Sequence, residues 1–143
     1  LEAAKKVPEF EAFGCGAWTV WDSFQNFKKT SSEEAATQGF YTIQPTFTLK
    51  DKAAAEPFMK KCVDLTRTEE GCMYYGWTIK DDKLFCREAY GEATGVLAHI
   101  DNVGATFGAF LESGAATLDK IELHGPKEEL EKCKRPAAGA KFL

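Results

Sequence analysis

The sequence predicts an α+β domain of the ferredoxin-like, split β-α-β kind: a four-stranded antiparallel sheet with helices on one face. Three observations carry this. Residues 40–50, FYTIQPTFTLK, alternate apolar and polar side chains with the period of a strand. Apolar residues recur at helical spacing over 58–65 and 96–110. Between those stretches, GCMYYGWTIK and KLFCREAYG read as two strands about an Asp81–Asp82 turn. With a last strand in TLDKIELHG, the chain spells β-α-β-β-α-β.

Each element follows from its residues. In the first strand Tyr41, Ile43, Pro45, Phe47 and Leu49 take one face, and Thr42, Gln44, Thr46 and Thr48 the other. Pro45 donates no backbone hydrogen bond, which predicts an edge strand or a bulge there. Asp51 is placed to cap a helix running to about Arg67. Its apolar stripe is Phe58, Cys62 and Leu65, with Met59 and Val63 beside it. Pro57 predicts either an irregular first turn or a helix start nearer residue 56. A two-residue hairpin loop pairs Lys80 with Lys83. Ile79 then faces Leu84, Trp77 faces Cys86, Tyr75 faces Glu88 and Met73 faces Tyr90, all on one side of the sheet. Cys72, Tyr74, Thr78, Phe85, Arg87 and Ala89 take the opposite side, so Cys72 and Cys86 are not a cross-strand disulfide. From Glu92 a helix presents Val96, Ile100, Val103, Phe107 and Phe110 on one face. Glycines 95, 104 and 108 predict a break near 102–105. Pro126 opens a short helix, KEELEKCKR, with acids in its first turn and bases in its last.

Around this domain, residues 40–135, the sequence sets an aromatic-rich arm and linker, 1–39, and a tail, 136–143. The arm carries Phe10, Phe13, Trp18, Trp21, Phe24 and Phe27 without a regular period, which suggests one short helix followed by a linker at 28–39. Its apolar groups are expected to bury against the domain, a twin subunit or another protein. Two helices cover only one face of the sheet. Tyr74, Phe85 and Phe47 make the other face partly apolar, and a homodimer pairing two sheets would cover it.

Composition removes several function classes. Net charge is −4, with 18 basic and 22 acidic residues interspersed, so no basic stripe exists for nucleic acid. No apolar run approaches the roughly 18 residues of a membrane span. Five cysteines, at 15, 62, 72, 86 and 133, form no CxxC and read as small hydrophobes in a reducing compartment. With two histidines and no acidic pair beside either, no metal site is expected. The chain opens on Leu1: either a leader has been removed, which would fit delivery to an organelle, or the sequence begins mid-chain.

The chemistry-bearing residues cluster between 75 and 102. Glu88 falls among Trp77, Tyr75, Tyr90 and Leu84, where a carboxylate needs donors and desolvation raises its pKa. Tyr75, across the strand pair, is the natural donor. Glu88 is then either a general base or substrate anchor, or a satisfied buried acid. His99 sits on the flank of the helix's apolar face, as base, acid or ligand, or as a packing residue. His124, before a Gly-Pro turn, reads as structural.

Glu70-Gly71-Cys72, Glu88-Ala89-Tyr90 and Ala98-His99, in this order of elements, resemble the antibiotic biosynthesis monooxygenase (ABM) domain of the dimeric α/β-barrel superfamily. The likeness covers residues 40 to about 125. It implies a homodimer whose sheets close into a barrel, with a pocket between sheet and helices. Catalytic members oxidise phenols, quinols or anthrones with O₂ and with no flavin or metal cofactor. The resemblance implies His99 and Glu88 as catalytic groups, and Tyr75, Trp77, Tyr90 and Asn102 as the surroundings of a small aromatic ligand. Haem-degrading relatives use an Asn on the first strand and a Trp ending the third. Here Gln44 or a Thr and Tyr90 stand in those places, so haem cleavage is not expected. Two functions follow: a cofactor-independent monooxygenase, or a non-catalytic subunit that docks on a larger assembly through the aromatic arm.

Overall fold

The computed structural model describes residues 19–25, 41–126 and 130. Its elements are β1 (Thr19–Gln25), β2 (Tyr41–Leu49), α1 (Lys52–Thr66), β3 (Cys72–Lys80), β4 (Lys83–Tyr90), α2 (Ala93–Glu112) and β5 (Ala116–His124). From β2 onward this is the expected β-α-β-β-α-β unit, with both helices on one face of an antiparallel sheet. The strand order is β1-β3-β4-β2-β5, so one further strand extends the sheet beyond β3.

That strand belongs to the arm. Residues 19–25 form no helix; they pair antiparallel with β3 from Thr19↔Ile79 to Gln25↔Tyr74, and the register shifts at Trp21, between Val20 and Asp22. Thr19, Val20, Trp21 and Phe24 favour extended backbone, and β3 offers an open edge of hydrogen-bonding groups. Phe10, Phe13, Trp18, Phe27 and the linker 28–39 lie outside the described residues. So do the tail 136–143 and all of the expected helix KEELEKCKR except Leu130, which is helical.

In β2 the alternation holds, with Tyr41, Ile43, Pro45 and Phe47 buried. The strand is interior, between β4 and β5, so Pro45 does not mark an edge. The bulge alternative is the one realised: the ladder to β5 shifts between Thr46 and Phe47. Asp51 caps α1 by accepting a hydrogen bond from Ala54 N at 3.0 Å, and the helix runs from Lys52 straight through an exposed Pro57. Its buried line is Ala55, Met59, Cys62, Val63 and Thr66, one step round from the expected stripe; Phe58 and Leu65 are partly buried.

The expected break in α2 is absent. Gly104 and Gly108 have nothing within 4 Å of where a Cβ would stand. Glycine costs about 1 kcal/mol of helix propensity at each position. The buried row Val96, His99, Val103, Thr106 and Phe110 outweighs it by packing on the sheet. The core between sheet and helices has two halves. At one end Phe47, on the helix side of the sheet and not on the uncovered face, packs against Trp77, Phe107 and Phe110 at ring-centroid distances of 5.8, 5.9 and 5.5 Å, and Phe58 stacks on Phe110 at 5.7 Å. The other end holds the polar groups described below.

Where α2 begins, its backbone touches the turn before β3. A Cβ on Gly71 would lie 2.8 Å from Gly95 Cα, and one on Gly95 would lie 3.3 Å from Gly71 Cα. At Gly71 only glycine permits this approach, while at Gly95 a methyl would require the turn to give by a few tenths of an ångström. Gly71→Ala should therefore lose about 1–3 kcal/mol of stability in urea unfolding. Gly104→Ala, on the open side of the same helix, should gain up to about 1 kcal/mol. Equal effects at both positions would show that the backbone contact is not tight.

Candidate active site

The hairpin sets the floor of the site. A two-residue loop, with Asp81 in the left-handed region at φ 54°, fixes the expected register from Lys80↔Lys83 through Trp77↔Cys86 and Tyr75↔Glu88 to Tyr74↔Ala89. There a shift enters, so Cys72 and not Met73 lies opposite Tyr90. The extra residue brings Cys72 onto the buried side. Tyr75, Trp77, Leu84, Cys86, Glu88 and Tyr90 thus line the helix-facing side, all buried.

His99 reaches this layer from α2. It sits on the buried row and not on its flank, because two carboxylates receive it. His99 Nδ1–H donates to Glu69, with Oε1 at 3.1 Å and Oε2 at 3.0 Å. On the other side of the ring, Nε2 stands 3.2 Å from Glu88 Oε2. The side chains of His99, Glu69 and Glu88 are only 5%, 8% and 5% exposed. Tyr90 Oη–H donates to the same Glu88 oxygen at 2.9 Å, and the Cys86 thiol adds a further hydrogen bond. Tyr90 therefore takes the place expected for Tyr75, whose phenol is hydrogen-bonded with Cys86 and Cys62. The rings of Tyr75 and Tyr90 flank the imidazole at 5.6 and 5.2 Å. Trp77 meets Tyr75 edge to face at 5.9 Å.

Asn102 is exposed and belongs to the outer end of this chain. Its Nδ2–H₂ donates to Glu69 Oε1 at 2.8 Å and to Leu65 O at 3.1 Å. It positions Glu69. Glu69 itself was hidden in the sequence, where the Glu-Gly-Cys run points to Glu70. The only sign was a second acid two residues before Gly71, and its meaning depends on the Gly71–Gly95 contact that draws this turn against α2. Among the described residues no group of three or more His, Cys, Asp or Glu side chains is arranged to hold a metal ion, and no helix is long and apolar enough to cross a membrane.

The electrostatics follow from burial. Desolvation raises the pKa of Glu88, against the opposing pull of His99, Tyr90 and Cys86. Burial alone would lower His99, but Glu88 and Glu69 outweigh it and the net shift is upward. The two groups titrate as a coupled pair, with Glu69 holding the Nδ1 end of the ring. Burial pushes the phenols of Tyr75 and Tyr90 well up.

Among solved structures the chain is similar to MupZ from Pseudomonas fluorescens, with 30% identity, coverage of 67% of this chain and 75% of MupZ, and a TM-score of 0.58. The chain belongs to the MupZ family. Two more distant likenesses share the fold alone. A Bacteroides thetaiotaomicron protein described as a "Possible Oxidoreductase" matches at 18% identity, TM-score 0.50, over 63% of this chain and 100% of that one. A Fusobacterium nucleatum protein named "Putative monooxygenase" matches at 13% identity, TM-score 0.52, over 87% of this chain and 61% of that one. No protein-family model and no curated protein matches the chain. For this member of the MupZ family the fold is thus the expected ferredoxin-like α+β one.

Both members of the Glu88–His99 pair bind protons more tightly in the folded state than in the unfolded one, so folding takes up protons. The contribution of Glu88 is complete below its ordinary value of 4.5 and drains as pH rises through its raised value. The contribution of His99 is complete below 6.5 and drains as pH rises through its own. The urea midpoint of the full chain should fall as pH increases from about 6.5, and His99→Gln should flatten that slope. A wild-type midpoint that rises over the same window would contradict the buried pair.

Proposed function

We propose that this protein is a monooxygenase of the ABM kind, acting with O₂ on a small electron-rich aromatic substrate of the quinol or anthrone type. The observation that carries the reading is the buried contact between Glu88 and His99, 3.2 Å apart inside an aromatic layer. The names of the Fusobacterium and Bacteroides fold neighbours agree with it.

On an anthrone-type ring the steps balance without a reductant. The Glu88–His99 pair removes one C–H proton, leaving a resonance-stabilised carbanion. The carbanion adds O₂, the new C–O bond giving a peroxide anion, and the pair returns the proton to it. The hydroperoxide then loses water with the second C–H proton, so that CH₂ and O₂ become C=O and H₂O. Glu69 keeps the imidazole proton on Nδ1 and leaves Nε2 for exchange with Glu88. Tyr90 steadies the Glu88 charge, and Tyr75 and Trp77 offer flat apolar faces.

With anthrone and hydroquinone in an oxygen electrode, the wild-type protein should consume O₂. Glu88→Gln and His99→Ala should each lower kcat at least about 100-fold, and Asn102→Ala less, because it acts through Glu69. Absence of uptake on every such ring would overturn the reading; unchanged turnover in His99→Ala would remove His99 from it.

We also propose a homodimer that pairs the sheets across the face bearing Tyr74 and Phe85, each half-buried in the single chain. The native mass should be about twice 15.8 kDa, and Phe85→Glu should halve it. A wild-type monomer would refute this. The docking-arm reading has no observation of its own in its favour, since residues 19–25 are part of the domain's sheet.

A further inference from the structure

One buried group has no role in the network above. Trp77 is 1% exposed, and its Nε1 is the one buried side-chain nitrogen or oxygen among the described residues without a hydrogen-bond partner. A buried donor left unpaired is destabilising, and such groups are rare enough to need a reason. Packing does not supply one. The indole lies against Phe47 and Tyr75, and phenylalanine would make similar ring contacts without an N–H to satisfy.

We propose that Trp77 Nε1–H is the donor that receives an oxygen of the aromatic ligand, a ring carbonyl or phenolate. The inference rests on the proposed aromatic substrate and assigns its orientation. Indole is a donor only, so its missing partner must be an acceptor. Trp77 shares the helix-facing side of the hairpin with Tyr75 and lies two residues from it along β3, about 7 Å. Tyr75 in turn lies opposite Glu88. A ring seated along this stretch places its oxygen at Trp77 and the carbon that loses its proton toward Glu88 and His99. Withdrawing electrons at that oxygen acidifies the C–H across the ring, so the donor serves the same proton transfer as the base.

The test uses the full chain and two unreactive probes of one shape, fluorenone with a carbonyl and fluorene without. Fluorenone should bind about tenfold more tightly. Trp77→Phe should erase that preference by weakening fluorenone alone. In the wild-type protein, fluorenone and not fluorene should move the Trp77 indole proton downfield. That resonance is assigned with Trp18→Phe and Trp21→Phe, so the result stands even if Trp77→Phe does not fold. Equal binding of both probes, with the indole proton unmoved, would overturn the Trp77 donor and leave the aromatic site standing. Binding of neither probe would overturn the donor. The monooxygenase reading would fall with it only if O₂ uptake were absent as well.

Discussion

Three ionisable groups inside one small core set the terms for the rest of the molecule. Glu69 comes from the turn before β3, Glu88 from β4 and His99 from α2. None can be buried alone, because an unpaired charge in the interior costs several kcal/mol. They must arrive together, and their arrival fastens the second helix to the sheet at a fixed height. An apolar trio of the same volume would fasten them at least as well. Stability alone gives no reason for the set. The placement of His99 Nε2 3.2 Å from Glu88 Oε2 suits the proton transfer proposed above.

Geometry permits the set only because two backbones touch. Gly71 and Gly95 bring the turn before β3 against the first turn of α2. Glu69 thereby comes within 3.0 Å of a histidine four residues further along that helix. A side chain at Gly71 would push the turn, and Glu69 with it, away from the helix. The outer anchor, Asn102, lies one further turn of α2 along, on the side that looks back to the end of α1 through Leu65 O.

How much of this the sequence disclosed depended on the range of the interaction. Alternation in β2 and the hairpin register were legible because strand pairing across a two-residue loop is local. The same reading failed at Met73, where a shift of register carries no signature in the residues themselves. Helix faces were legible only to within one residue. A polar His99 pulled the expected stripe toward Ile100 and Phe107, while the partner that makes its burial tolerable stands 30 residues away. Glu88 was legible as a buried acid, but its donor was not, since Tyr75 and Tyr90 share its face. β1 was missed because its aromatics, spaced by three, mask a strand that exists through the edge it pairs with.

Three cysteines lie in the same buried layer. Cys62, Cys72 and Cys86 are free and buried, and they surround the same tyrosines and Glu88. Burial pushes Cys62 and Cys72 up to about 12 and Cys86 well above its ordinary value. They are thiols, not thiolates, across the physiological range, and so are poor nucleophiles and slow to oxidise. A neutral thiol can instead serve as a weak donor, as Cys86 does to Glu88 and Cys72 to Tyr74 O at 3.3 Å. With the thiols and phenols held protonated by the low dielectric, Glu88 and His99, 3.2 Å apart, are the pair that the proposed chemistry draws on.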